Sequence, residues 1–109
     1  MLSKTQMISR PPVIEQINAE ELGAGETIGV KLLSAGQFHK LLKQTEEGQM
    51  KEEPLFVHML IACTCDEHGA AIFDCGDAET IKALPFKLVN RISLAAQKLN
   101  GIGDEPAKN

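Results

Sequence analysis

The spacing of apolar and polar residues divides the chain into short segments of different period. Val13-Ile-Glu-Gln-Ile17 and Glu26-Thr-Ile-Gly-Val-Lys-Leu-Leu33 are rich in β-branched residues and are separated by Gly23-Ala-Gly25, the pattern of a β-hairpin. A lone hairpin is marginal in water, so it must pack on helices. Ser34 with Gln37 three residues later is a capping-box signature, and Phe38, Leu41, Leu42 and Thr45 follow at helical spacing. This predicts an amphipathic helix from about Ala35 to about Glu47. Gly48 to Glu53 is a charged linker, and Pro54 suits the first turn of a second helix. From Leu55 to Cys65 apolar side chains cover almost the whole helical circumference, which places this helix in the middle of the domain.

Asp66-Glu-His-Gly69 supplies turn residues, Ala70 to Phe73 is short and extended, and Asp74 to Asp77 turns again. Asp77 can cap a short helix reaching about Leu84. Pro85 at a first helical position and Gly101 just past the end frame a closing helix, Pro85 to Asn100. Leu84, Leu88, Ile92, Ala95 and Leu99 form its apolar stripe, whereas Lys87, Asn90, Arg91 and Lys98 lie off it. The division that follows is an extended arm over residues 1–12, one domain over 13–103 and a frayed tail over 104–109. The fold class is mainly α: a small helical domain with an N-terminal β-hairpin.

Composition narrows the function. A length of 109 residues with 43% apolar content suits one core. Fifteen acidic against eleven basic residues give a net charge of -4, which disfavours nucleic acid as a partner. No apolar run is long enough to span a bilayer, and the first residues lack a signal-peptide segment. A cytoplasmic protein with no membrane partner is expected. Cys63, Cys65 and Cys75 are an odd number within thirteen positions, a poor disulfide framework and so read as reduced thiols.

His58, Cys63, Cys65, His68 and Cys75 have the residue types of a zinc site without its two close ligand pairs. On a continuous helix Cys63 and Cys65 point about 200° apart, and His58 lies roughly 10 Å from Cys65. Buried hydrophobes and inert thiols describe these residues better. A Cys75 nucleophile assisted by His68 meets acidic neighbours that disfavour a thiolate. Asp66, Asp74, Asp77 and Glu79 lack the ligand order of a calcium loop and read as turn and cap residues. His39 should face water, and Gly23, Gly25 and Gly29 serve hairpin geometry, not a phosphate loop. No constellation meets the demands of catalysis, so the expectation is a protein-binding, non-enzymatic chain without a cofactor. The rival is a zinc- or redox-regulated adaptor built on Cys63, Cys65 and Cys75.

Three segments, in order, carry a resemblance that covers roughly Val13 to Gly103: Gly25-Glu-Thr-Ile-Gly-Val-Lys-Leu-Leu-Ser-Ala-Gly-Gln-Phe38; Cys65-Asp-Glu-His-Gly-Ala-Ala-Ile-Phe73; and Ile81-Lys-Ala-Leu-Pro-Phe-Lys-Leu-Val-Asn-Arg-Ile-Ser-Leu-Ala-Ala-Gln-Lys-Leu-Asn-Gly101. The sequence resembles the tail assembly chaperones of long, non-contractile phage tails. In that family a helix commonly ends in an Asp-Glu-x-Gly turn, followed by a Phe, an acidic stretch and a closing helix ending in Leu-Asn-Gly. Pro85 and the cysteine trio depart from its usual pattern. The resemblance implies a non-enzymatic protein of the host cytoplasm that keeps the tape measure protein soluble and recruits tail tube subunits. It also implies a mainly helical, self-associating chain, often made in a longer frameshifted form as well.

Within the closing helix Phe86 and Leu94 fall at about 200° and about 280° on a wheel whose apolar stripe spans about 0° to 80°. They are expected to stay at least partly exposed. With Asn90 and Lys98 beside them they form the predicted protein-binding surface.

Overall fold

The structure is a computed structural model that describes residues 1–102; the expected frayed tail, 104–109, lies outside the described residues. In order the chain forms α1 (Lys4–Ile8), β1 (Ile14–Asn18), β2 (Thr27–Lys31), α2 (Ala35–Glu46), α3 (Leu55–Cys63), β3 (Thr64–Cys65), α4 (Ala78–Lys82) and α5 (Phe86–Asn100). Short 3-10 turns lie at Glu20–Leu22 and Cys75–Asp77.

Helices dominate and the expected hairpin is present, with Ile17 opposite Ile28. It belongs to a larger sheet than expected, in the antiparallel order β1-β2-β3. The third strand corrects the expected end of the central helix, which stops at Cys63 and not at Cys65. Thr64 turns the backbone to φ -74 and ψ 138, and its hydroxyl donates to the Leu60 carbonyl at 2.6 Å. Thr64 and Cys65 then pair with Val30 and Gly29. Gly29 makes that pairing possible: a Cβ there would lie 2.8 Å from the Cys65 carbonyl oxygen and 3.0 Å from its Sγ.

Other boundaries shift by smaller amounts. Pro54 and Pro85 are N-caps and not first helical residues, because both hold extended ψ values, 155 and 134. The short helix ends at Lys82 and not at Leu84. Inside the expected arm, α1 is held by a Ser3–Gln6 capping box yet buries nothing, and residues 1–13 are all exposed.

The apolar circumference of α3 does what the pattern requires. Val57, Leu60 and Cys63 have no exposed surface, and α2, α5 and β2 pack around this helix. On α5 the buried face is rotated from the expected stripe. Leu88 and Ile92 are fully buried, but Leu84, Ala95 and Leu99 are only half-buried, while Val89, Ser93 and Ala96 take the inner positions. α5 packs on α3 and on the hairpin together, so its contact arc is wider than one neighbour would give. Small residues at 93 and 96 let α5 approach closely.

The last turn of α5 is tied to the hairpin by one side chain. Asn100 Oδ1 accepts from the Leu33 amide at 2.7 Å, and its Nδ2 donates to the carbonyls of Lys31 at 3.3 Å and Ala96 at 2.9 Å. Gly101 closes the helix at φ 70, a left-handed cap that favours glycine.

Candidate protein-binding face

α5 begins at Phe86 because Pro85 fixes φ and needs no amide donor. The start of the helix presents Phe86 outward at 77% exposure, and two turns later Leu94 is 57% exposed. Phe86 and Asn90 border a groove of about 300 Å³ between α5, α4 and the start of α3. Phe56, Ile81, Leu84 and Val89 supply its apolar walls. Leu94 and Lys98 do not line the groove; they extend the exposed surface around the helix. The four residues expected to form one patch therefore split into a groove pair and a flanking pair.

Ion pairs from two basic residues brace this face. Arg91 clasps Glu21 with both guanidinium nitrogens, at 2.9 and 2.6 Å, and Nη1 also donates to the Asn18 carbonyl at 2.8 Å. The hydrogen bonds from Arg91 hold the Glu21 carboxyl far below its usual range, from 4.5 to about 2, and the carboxylate raises Arg91 in turn. Lys82, on the groove wall, meets Glu53 at 2.6 Å and Glu79 at 3.1 Å, which pushes its ammonium upward. The exposed basic residues of α5 are Lys87 and Lys98.

Ser93 lines the groove, and its hydroxyl is buried without a hydrogen-bond partner among the described residues. Sequence reasoning missed it, since a serine next to Ile92 reads as the polar side of the helix. The groove offers apolar contact with polar handles at Ser93, Asn90 and Gln97.

The residues weighed for metal or catalytic chemistry are dispersed. Cys63 and Cys65 are buried; burial lifts the Cys63 thiol to about 11 and moves Cys65 upward as well. Cys75 is exposed, with its Sγ accepting from Gln44 Nε2 at 3.6 Å, while His68 pairs with Glu67 at 3.6 Å. Among the described residues no three His, Cys, Asp or Glu side chains gather to hold a metal ion. Asp66 Oδ1 accepts from the amides of His68 and Ala70 at 2.8 and 3.0 Å, and Asp74 Oδ1 from that of Gly76 at 2.8 Å. These carboxylates cap turns. Asp77 turns back to the Asp74 amide at 2.8 Å instead of capping α4 through its side chain. No helix among the described residues is long and apolar enough to cross a membrane.

No protein-family profile matches the chain, and no curated protein matches it in sequence. Among solved structures it is similar to the tail assembly chaperone of bacteriophage HK97, with a TM-score of 0.60 and 14% identity over 93% of this chain and 95% of that one. The chain has the fold of a phage tail assembly chaperone.

Within this chaperone fold the segments that carry the sequence resemblance serve the backbone. The Asp66-Glu-His-Gly69 turn works through the two hydrogen bonds to Asp66 and the left-handed φ of 86 at Gly69. The closing Leu-Asn-Gly works through the Asn100 bonds and the Gly101 cap. Ser34 and Gln37 form the expected reciprocal box, at 3.1 and 2.9 Å. Phe86, Asn90, Leu94 and Lys98 remain exposed on α5.

Proposed function

We propose that this chain is a phage or prophage tail assembly chaperone, acting without enzymatic chemistry in the host cytoplasm. It binds the tape measure protein and recruits tail tube subunits during tail assembly, working as a homo-oligomer. The observation that carries this reading is the agreement in fold with a tail assembly chaperone along nearly the whole of both chains. The α5 face supports it physically. A chaperone for a long helical client needs a shallow apolar strip, and Phe86 and Leu94, with Asn90 and Lys98 at their side, offer one next to a groove. The adaptor reading would need Cys63, Cys65 and Cys75 together, whereas Cys63 and Cys65 are buried and Cys75 is exposed.

Co-expression with the tape measure protein of the same phage or prophage tests the reading. The wild-type chain should keep that protein soluble and co-purify with it. Phe86→Ser with Leu94→Ser should melt cooperatively yet lose the client or self-association, the latter read by light scattering at high micromolar concentration. An insoluble client in the presence of folded wild-type chain refutes the function. A double variant that cannot fold places these side chains in the core and refutes the surface.

A further inference from the structure

Around α3 from the α5 groove, a second concavity of about 190 Å³ opens between α2 and α3. Phe38, Leu42, Leu55 and Met59 give it apolar walls and Ile102 closes one side, while its polar neighbours Thr45 and Glu53 are already engaged with the Leu42 carbonyl and with Lys82. His58 also lines it. That residue has no exposed surface, and neither ring nitrogen has a hydrogen-bond partner among the described residues. An imidazole held this way lowers the stability of the free protein, since each buried polar atom has lost water and gained nothing. The cysteines once weighed with His58 as metal ligands do not join it.

We propose that this pocket receives a tyrosine side chain from a partner protein, its ring on the apolar walls and its hydroxyl bonded to His58. An apolar cavity of about 150 Å³ accepts a benzene ring, so the volume here suits one substituted ring. A phenolic hydroxyl both donates and accepts, and so satisfies the imidazole nitrogen it meets whether or not that nitrogen carries the proton. Serine or threonine would bring the hydroxyl and leave the walls uncovered. Phenylalanine would cover the walls and leave His58 unpaired. These 109 residues contain no Tyr and no Trp, so a second copy of them does not supply the group, and the partner proposed is a different protein. Leu42 and Leu55, 46% and 52% exposed, are the lining residues free to turn aside as the ring enters. The site is separate from the α5 face and does not depend on the role proposed for it.

The test uses the full chain with p-cresol as the probe for a tyrosine side chain and toluene as its hydroxyl-free counterpart. Binding is followed through the backbone amide resonances of the lining residues Phe38 and Met59 in every variant, and in the wild type also through the ring nitrogens of His58, with the exposed His39 and His68 as internal references. Among the histidines p-cresol should shift His58 alone, and it should bind at least about fivefold more tightly than toluene, the worth of one hydrogen bond. In His58→Leu the two probes should bind within about twofold of each other. Leu42→Arg, at an exposed position, should abolish p-cresol binding without loss of the cooperative melt. Equal affinities in the wild type, no binding of either probe, or a preference that survives His58→Leu overturns the proposal. So does p-cresol binding that appears only after removal of residues 103–109, which would make the chain's own end the occupant.

Discussion

Replacing Asn100 by Ala removes the side chain that ties the end of α5 to the segment between β2 and α2. Its most consequential bond is the 2.7 Å acceptance from the Leu33 amide, because that amide has no other partner among the backbone bonds described. Leu33 is half-buried, so its amide loses a partner where water only partly replaces it. Leaving such a donor unsatisfied costs about 1–3 kcal/mol. The bond to the Lys31 carbonyl is longer, 3.3 Å, and the Ala96 carbonyl is an acceptor on the same helix; together they add about 0.5–1 kcal/mol. Alanine's better helix propensity returns at most about 0.7 kcal/mol. The net expectation is a loss of about 2 kcal/mol, or a fall in melting temperature on the order of 10 °C for a domain of this size. Urea unfolding followed by circular dichroism should show a lower midpoint with an unchanged slope. Asn90→Ala is the control: exposed on the same helix, it should change stability by under about 0.5 kcal/mol. A loss below about 0.5 kcal/mol at Asn100 would refute the clamp, because the Leu33 amide would then be finding an equivalent partner without it.

Further expectations concern backbone space, acid stability and thiols. Gly29→Ala should destabilise by about 2 kcal/mol, since its Cβ meets a backbone oxygen that cannot give way. Gly36→Ala, with open space around it in α2, should stabilise by about 0.5–1 kcal/mol, and equal effects in urea melts would contradict the close approach of β3. Glu21 has a folded pKa of about 2 against 4.5, so between those values the unfolded chain binds more protons and stability falls as pH falls. Glu21→Gln should flatten the dependence of the urea midpoint on pH in that window, and an unchanged slope would count against the Arg91 clasp. In the folded protein only Cys75 should react with a thiol reagent, because Cys63 and Cys65 are buried and their thiols raised. Cys75→Ser should be near neutral while Cys63→Ser costs about 1–3 kcal/mol, and rapid labelling of all three thiols would show the core to be open.

What was legible in the sequence was whatever a single element decides for itself. Ser34 and Gln37 announced the start of α2, Gly101 the end of α5, and the apolar run of α3 its central place. Elements that exist only because another approaches were hidden. β3 is two residues long and is defined by β2 beside it, so its period could not separate it from the helix it follows. The buried face of α5 was misplaced because the hairpin and α3 share that helix, and because Ser93 lies inward against its polarity. The Ser3–Gln6 box repeats the Ser34–Gln37 pattern, yet its five-residue helix buries nothing and so left no apolar period to notice. At the candidate site the exposure of Phe86 and Leu94 followed from the wheel, but the groove beside Phe86 depends on α4 and Phe56, which no period in α5 reports.

Phe86, Asn90, Leu94 and Lys98 lie within one of the recognisable segments, but they meet different demands from the turn and cap residues of those segments. Asp66, Gly69, Asn100 and Gly101 answer demands that few side chains can meet: two amides to cap, left-handed backbone, a donor and an acceptor on one short amide. Such positions resist change, because a substitution leaves an unpaired group or a strained φ. Phe86, Asn90, Leu94 and Lys98 answer no such demand: they are exposed, and their places within α5 ask only for residues that a helix tolerates. A chain of this fold can therefore keep the turns and clamps while the exposed helix face changes. Likeness of fold at low identity is the expected result of that division. On the two proposals above, partner choice lies in the surface chemistry of this chain, at the apolar groove beside Phe86 and at the imidazole of His58.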